Sequence, residues 1–286
     1  MKPFYAILFF LGTCTFQSGP LNSTLRAQGT FGIFSWQKGQ SFRYKVEHKT
    51  TASDKQGSNI SEVKTELSLI KEWKILAVET DGTAQIQLKL LALRSVTKKP
   101  DGELITFDSA KPENSTVQLR DQMAKFVGEP VALLIVDKTG KVNEVRENRF
   151  GSPKRFETDP PMALIFGKVP ISLGTKWERP VVIAGDPPVP SNDSNGWRAL
   201  VQSECIAAST TTRTIKTEGS WTREPKIFEA KIGLLQYFPN TEVVLDQPGM
   251  PPKLIVSKLD RTIKNGDNEN NIYRLISEYR ETRMDE

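Results

Sequence analysis

A chain of 286 residues in which 39 Lys and Arg stand against 34 Asp and Glu carries a formal charge of +5. The two signs are interleaved almost everywhere, so no basic face or stripe is offered to nucleic acid. Two cysteines in this length exclude a disulfide framework, and stability falls to a hydrophobic core that a chain of this size can build.

The N-terminus reads as an export signal. Lys2 precedes the apolar run Phe4 to Leu11, which continues loosely to Phe16. That run is shorter than the ~20 apolar residues a membrane span requires, and its charged, apolar, polar order is the one the export machinery reads. Gln17, Ser18, Gly19 and Pro20 turn the chain polar, and Leu25-Arg26-Ala27 places a small residue before a cleavage point between Ala27 and Gln28. Leu11-Gly12-Thr13-Cys14 also resembles a lipoprotein signal, which makes Cys14 a lipidation candidate, although Thr13 stands where Gly, Ala or Ser is expected. The expected division is a signal peptide over 1–27 and a mature chain over 28–286 without a transmembrane helix. Loss of Lys2 and Arg26 brings the charge from +5 to +3. The expected location is periplasmic, cell-envelope or secreted.

Strand follows strand in the remainder. Phe42, Tyr44 and Val46 alternate with Arg43, Lys45 and Glu47; Val63, Thr65, Leu67 and Leu69 alternate with Lys64, Glu66 and Ser68. This is the period of a half-buried strand. Ile86, Leu88 and Leu90 continue the pattern until the phase flips at Leu90-Leu91, which predicts a bulge. Asp81-Gly82, Asp101-Gly102 and Thr139-Gly140 mark hairpins, Asp-Gly suiting a type I′ turn.

Helices are few. Ser115-x-x-Gln118 fits a capping box before Leu119, Met123, Phe126 and Val127, with Gly128 as the stop. A shorter helix is expected over 160–166, between Asp159 and Gly167. Residues 185–196 read as a long loop rich in Pro, Gly, Asp and Asn. At the C-terminus, residues 271–282 fit either period and are assigned to a strand because β surroundings dominate. Gly39-x-x-Phe42 and Gly174-x-x-Trp177 suggest two related halves, about 36–150 and 170–286, within one globular domain. The fold class is mainly β: a curved antiparallel sheet or open barrel with one or two short helices packed on it.

Several of these motifs together resemble a family of exported proteins of unknown function from planctomycete bacteria. They run from Trp36, Gly39 and Phe42-Arg43-Tyr44 through Trp73-Lys74, Asp81-Gly82, Asp101-Gly102 and Asp108-Ser109. Gly128-Glu129-Pro130, Val136-Asp137-Lys138-Thr139-Gly140 and Gly174-Thr175-Lys176-Trp177 extend them over most of the mature chain. The resemblance brings no activity, ligand or catalytic residue with it. The pattern is also similar to the curved sheet of periplasmic lipoprotein carriers, a likeness of fold that implies no function by itself.

No catalytic, cofactor or metal site is legible. His48 is the one histidine, in phase with the apolar face of its strand, and no His-Glu-x-x-His or Cys-x-x-Cys occurs. Ser61-Glu62-Val63-Lys64 and Lys138-Thr139-Gly140 imitate penicillin-binding motifs. The first sits in a strand pattern, where residues i and i+3 point to opposite faces, and the second sits where a turn is wanted. Five tryptophans (Trp36, Trp73, Trp177, Trp197 and Trp221) read chiefly as core anchors, with some placed to line a concave pocket. Three Pro-Pro loops, at 160–161, 187–188 and 251–252, are rigid candidates for a partner surface or plain turn closures.

These readings favour a non-enzymatic envelope protein that binds an apolar or lipid-like ligand, or an envelope protein partner, without a cofactor. Leu88 and Leu90 are the first candidates for the lining of an apolar pocket. The alternative is a hydrolase with a carboxylate-only site, which would leave no motif and would show a pair of acids in a cleft, one with a raised pKa. N-terminal sequencing of exported protein is expected to begin near Gln28; an intact Met1 on envelope material would contradict this, and a lipidated Cys14 would replace it.

Overall fold

The computed structural model describes residues 30–149, 153, 156, 170–183, 197–222, 239–265 and 268–285. Among the described residues, twelve strands form one antiparallel sheet. The first six are β1 (Ser41–Gln56), β2 (Asn59–Val78), β3 (Ala84–Lys98), β4 (Leu104–Asp108), β5 (Pro130–Val136) and β6 (Val142–Asn148). The other six are β7 (Lys176–Ile183), β8 (Trp197–Ala208), β9 (Arg213–Trp221), β10 (Asn240–Leu245), β11 (Leu254–Asn265) and β12 (Asn268–Met284). Their spatial order is β6-β5-β3-β2-β1-β12-β11-β10-β9-β8-β7, with β4 added on β3. The sheet is therefore two meanders joined where β1 pairs with β12, from Arg43↔Met284 to Gln56↔Asn271. The C-terminal strand assignment holds.

The sheet is strongly curled at one end. Eleven strands in line at ~4.8 Å spacing would put β6 and β7 ~48 Å apart on a flat sheet. Yet Phe34 N–H donates to Lys138 O (2.7 Å) in the β5–β6 turn, while Phe31 O accepts from Ile171 N–H (3.3 Å), just ahead of β7. Three residues span at most ~11 Å. The two edges must approach each other here, bridged by the strap 31–36.

The strap is held along its length. Ser35 N–H donates to Gly249 O (2.8 Å), Trp36 Nε1 donates to Asp137 O (3.3 Å), and the Arg213 guanidinium lies 4.4 Å over the Phe31 ring. Phe31, Phe34 and Trp36 pack with Phe42, Tyr44, Trp73, Ile75, Ile86, Leu134, Ile215, Val243 and Ile255 in one core cluster. Strand alternation produces this face directly: Phe42, Tyr44 and Val46 are buried while Arg43, Lys45 and Glu47 are exposed.

Local expectations fare unevenly. The phase flip in β3 is a bulge: Ile70 pairs with Ala92 and Lys71 with Leu90, leaving Leu91 over. The three hairpins at 79–83, 99–103 and 137–141 are not type I′. In each, the Gly N–H donates three residues back, to Glu79 O, Lys99 O or Asp137 O, so the positive φ falls on the fourth turn residue. This is the three-residue loop closed by a Gly bulge. Its Asp accepts a backbone N–H: Asp81 from Thr83, Asp101 from Glu103, Asp137 from Thr139.

Ser115 does not cap the helix. The helix α1 spans Val117–Met123 with Thr116 as N-cap and no side-chain cap bond. Both hydroxyls are used by β4 instead, Ser115 Oγ accepting Asp108 N–H (2.9 Å) and Thr116 Oγ1 accepting Thr106 N–H (3.0 Å). Leu119, Met123, Phe126 and Val127 form its half-buried side, and Gly128, at φ +86°, ends the segment by donating to Leu90 O. The Pro-Pro pair 251–252 is not an exposed surface: both prolines are buried, and Pro252 O accepts the Tyr44 hydroxyl (2.9 Å). The export segment with Cys14, Ala27 and Gln28, the 160–166 helix, the 185–196 loop and the other two Pro-Pro pairs lie outside the described residues. No helix among those described is long and apolar enough to cross a membrane.

Gly249 gives the strap a direct test. Its φ is +78°, and a Cβ there would stand 2.6 Å from Ser35 Oγ. Gly249→Ala is expected to destabilise the protein by about 1–3 kcal/mol in urea unfolding, from left-handed backbone and overpacking together. An unchanged midpoint would mean that the strap is not held against the β10–β11 loop.

Candidate functional site on the inner face of the sheet

The face that carries the core continues along the strands beyond it. Residues that pair directly across strands share a face, so the register defines rows running around the sheet. One row, Cys205, Ile215, Val243, Ile255, Glu281, Val46, Leu69, is apolar except at Glu281 and buried up to its half-buried end at Leu69. The next row outward is different in kind. Ser203, Thr217, Thr241, Ser257, Tyr279 and His48 follow one another across β8, β9, β10, β11, β12 and β1. Hydroxyls bond along this belt, Ser203 to Thr217 at 3.2 Å and Thr241 to Ser257 at 2.8 Å.

Beneath the belt lies a buried charge pair. Glu281 is fully buried, and Lys71 Nζ reaches over β1 from β2 to stand 2.8 Å from its Oε1. The Tyr279 hydroxyl donates to Oε2 (2.5 Å). On the same face Arg283 is clamped on Asp246 by two bonds of 2.9 and 2.8 Å. Burial pushes the Tyr44 phenol well above its usual range, and the charge of Glu281 adds to that shift.

His48 belongs to the belt. Its Nε2 lies 2.8 Å from Ser277 Oγ and its ring meets Tyr279 edge-on at 5.6 Å. Burial lowers its pKa, so the neutral ring is favoured near neutrality. Ser61 and Lys64 lie in β2 and Lys138-Thr139-Gly140 forms a turn, so neither motif has the helix or strand that penicillin-binding chemistry needs. Burial also raises the Cys205 thiol, whose Sγ contacts Ala207 O at 3.4 Å.

Leu88 is a member of the core cluster, and Leu90 packs against it. Trp36, Trp73 and Trp177 are buried in that cluster too, and Trp221 is half-buried. The accessible part of the inner face lies farther out. There Leu67, Leu275 and Tyr273 are half-buried, beside buried Leu259 and the hydroxyls of Thr65 and Thr97, which bond each other at 3.1 Å. The contributions of β2, β3, β11 and β12 are far apart in sequence, and the pairing register brings them together. A depression beside β7–β9 is lined by Lys176, Glu178, Glu204, Lys216 and Glu218. Trp177 also lines it, and two of its acids hold its lysines, Lys176 to Glu204 at 3.2 Å and Lys216 to Glu218 at 2.6 Å.

Among the described acids, those with a displaced pKa run opposite to the raised carboxyl expected of a hydrolase. Glu47, Glu62, Asp81, Asp260 and Asp285 are each held below the usual carboxylate range first of all by a hydrogen bond, from Lys45, Lys64, Thr83, Arg274 and Lys253 respectively. Among the described residues no three His, Cys, Asp or Glu side chains are grouped to hold a metal.

No protein-family model matches the chain, and no curated protein matches it. Among solved structures it is similar to lipovitellin, the subject of a study of lipid–protein interactions, at 9% identity and a TM-score of 0.45. The match covers 88% of this chain and 26% of that one, so this chain spans about a quarter of lipovitellin. It is also similar to DynF from the dynemicin biosynthesis pathway of Micromonospora chersina, at 6% identity and a TM-score of 0.22 over 90% of each chain. An outer membrane channel from Pseudomonas putida F1 matches at 7% identity and 0.23, over 88% of this chain and 98% of that one. Likenesses this distant transfer no function.

The buried pair makes its own prediction. Removing one partner strands a charge, at a cost of about 3–5 kcal/mol, whereas replacing both by apolar residues is often nearly neutral. Lys71→Met is expected to destabilise strongly in denaturant unfolding, and adding Glu281→Leu is expected to restore most of the loss. Additive losses would show that the two charges are not coupled.

Proposed function

We propose that the protein is exported to the cell envelope and holds an apolar, lipid-like ligand against the inner face of its curled sheet, without catalysing a reaction. One observation carries this reading. Beyond the packed core, the inner face presents Leu67, Tyr273 and Leu275 half-buried, near the hydroxyls of Thr65 and Thr97, with Arg261 opposite Leu275 and Asp54 opposite Tyr273. A surface of this composition suits a molecule with an apolar chain and a polar group, because pockets for such ligands are mostly apolar with a few placed polar atoms. The buried cations of the inner face, Lys71 and Arg283, are already neutralised by Glu281 and Asp246.

The test is retention of ligand by a folded protein. Organic extraction of purified protein followed by mass spectrometry is expected to release an amphipathic molecule, and a fluorescent fatty acid is expected to bind. Leu67→Glu or Leu275→Glu is expected to abolish that binding at unchanged circular dichroism, because an unpaired charge in an apolar site is costly. Leu88 is unsuitable for this test, since a charge there would enter the core. Binding that survives both substitutions would remove the ligand from this face and leave the interaction-module reading.

A further inference from the structure

The long strands β1, β2, β11 and β12 run on past the core as a four-stranded arm. At its tip the register aligns Lys264, Ile272, Lys55 and Ile60 in one row across the four strands. Lys55 lies in phase with exposed Arg43, Lys45 and Glu47, so the row faces outward, away from the inner-face residues. Cation and apolar side chain alternate along it. Ile60 is 70% exposed, and Lys55 and Lys264 are exposed as well. On the same face, a few residues back along the strands, the row Lys64, Lys98, Leu104 adds a second large apolar side chain, Leu104, which is 56% exposed.

The charges in these outer rows favour one sign. Lys64 is held by Glu62 at 2.8 Å and Arg274 by Asp260 at 2.7 Å, whereas Lys55 and Lys264 make no salt bridge among the described residues. The tip is also braced: Gly57 N–H, in the β1–β2 turn, donates to Asn270 O of β12 at 3.2 Å. Ile60, at a braced hairpin tip, packs little against the described residues. From this placement we propose that the arm tip docks on an anionic lipid surface. Ile60 and Leu104 enter the headgroup boundary, and Lys55 and Lys264 face the phosphates. Membrane-surface binding combines these two elements, apolar insertion and attraction of basic residues to anionic lipid. This inference rests on the outer face and stands apart from the ligand reading of the inner face.

Sedimentation with vesicles tests it, using the purified protein with phosphatidylcholine alone and with phosphatidylcholine plus phosphatidylglycerol. The protein is expected to sediment with the anionic vesicles and to be released by salt. Each lysine contributes about fivefold at an anionic surface, so Lys55→Glu combined with Lys264→Glu is expected to weaken binding at least about twentyfold. Ile60→Ser and Leu104→Ser are each expected to weaken it several-fold with unchanged circular dichroism. Leu67→Glu and Leu275→Glu, which test the inner face, are expected to leave it intact. Equal binding to both vesicle types, binding indifferent to the tip substitutions, or no binding at all would each overturn the proposal. The first two are what an N-terminal lipid or retained leader alone would give.

Discussion

The strap from Phe31 to Trp36 is the constraint on which the rest depends. An antiparallel sheet of this width has no intrinsic reason to bring its edges together, since twist alone produces an open, saddle-shaped surface. Here a few residues tie the β5–β6 turn to the approach of β7 and to the β10–β11 loop. The three strap aromatics then fill the space that the curl encloses. The sheet gains an inside, and every row of side chains on that face acquires a depth measured from the strap.

Depth sorts the inner face into zones with different physics. Nearest the strap, close packing of aromatic and branched residues supplies the stability that disulfides do not. At the boundary, Glu281 and Lys71 are held together across β1, an arrangement whose worth lies less in net energy than in the penalty for any packing that separates them. It fixes β2 and β12 relative to β1 at the joint between the two meanders. Farther out the packing loosens into hydroxyls and half-buried leucines, where the sheet can meet something other than itself.

Among the described residues β6 and β7 end the sheet, and both carry features that resist further pairing. β6 carries Glu144, Arg146 and Glu147 and has two register shifts against β5. β7 contains Pro180, which has no N–H to donate. Charges, irregular register and proline are the means by which edges resist further strand pairing. Tied at one end and guarded at the edges, the sheet remains a curl, with its inner face accessible.

The sequence determined the strands, because alternation is a local property: residues such as Phe42, Tyr44 and Val46 must share a face in any strand that contains them. It determined the bulge at Leu91 and the hairpin positions for the same reason. It did not determine the turn type, because Asp-Gly serves both a type I′ turn and a three-residue loop, and only the pairing of the flanking strands selects between them. The Ser115 capping box failed because its hydroxyl was claimed by β4, a partner the local pattern does not contain. Tertiary structure alone decided what the inner face is made of. Ser203, Thr217, Thr241, Ser257, Tyr279 and His48 are scattered over most of the chain, as are Lys71 and Glu281. They meet because β1 pairs with β12 and the strap curls the sheet, and contacts between residues this distant in sequence leave no periodic mark on it.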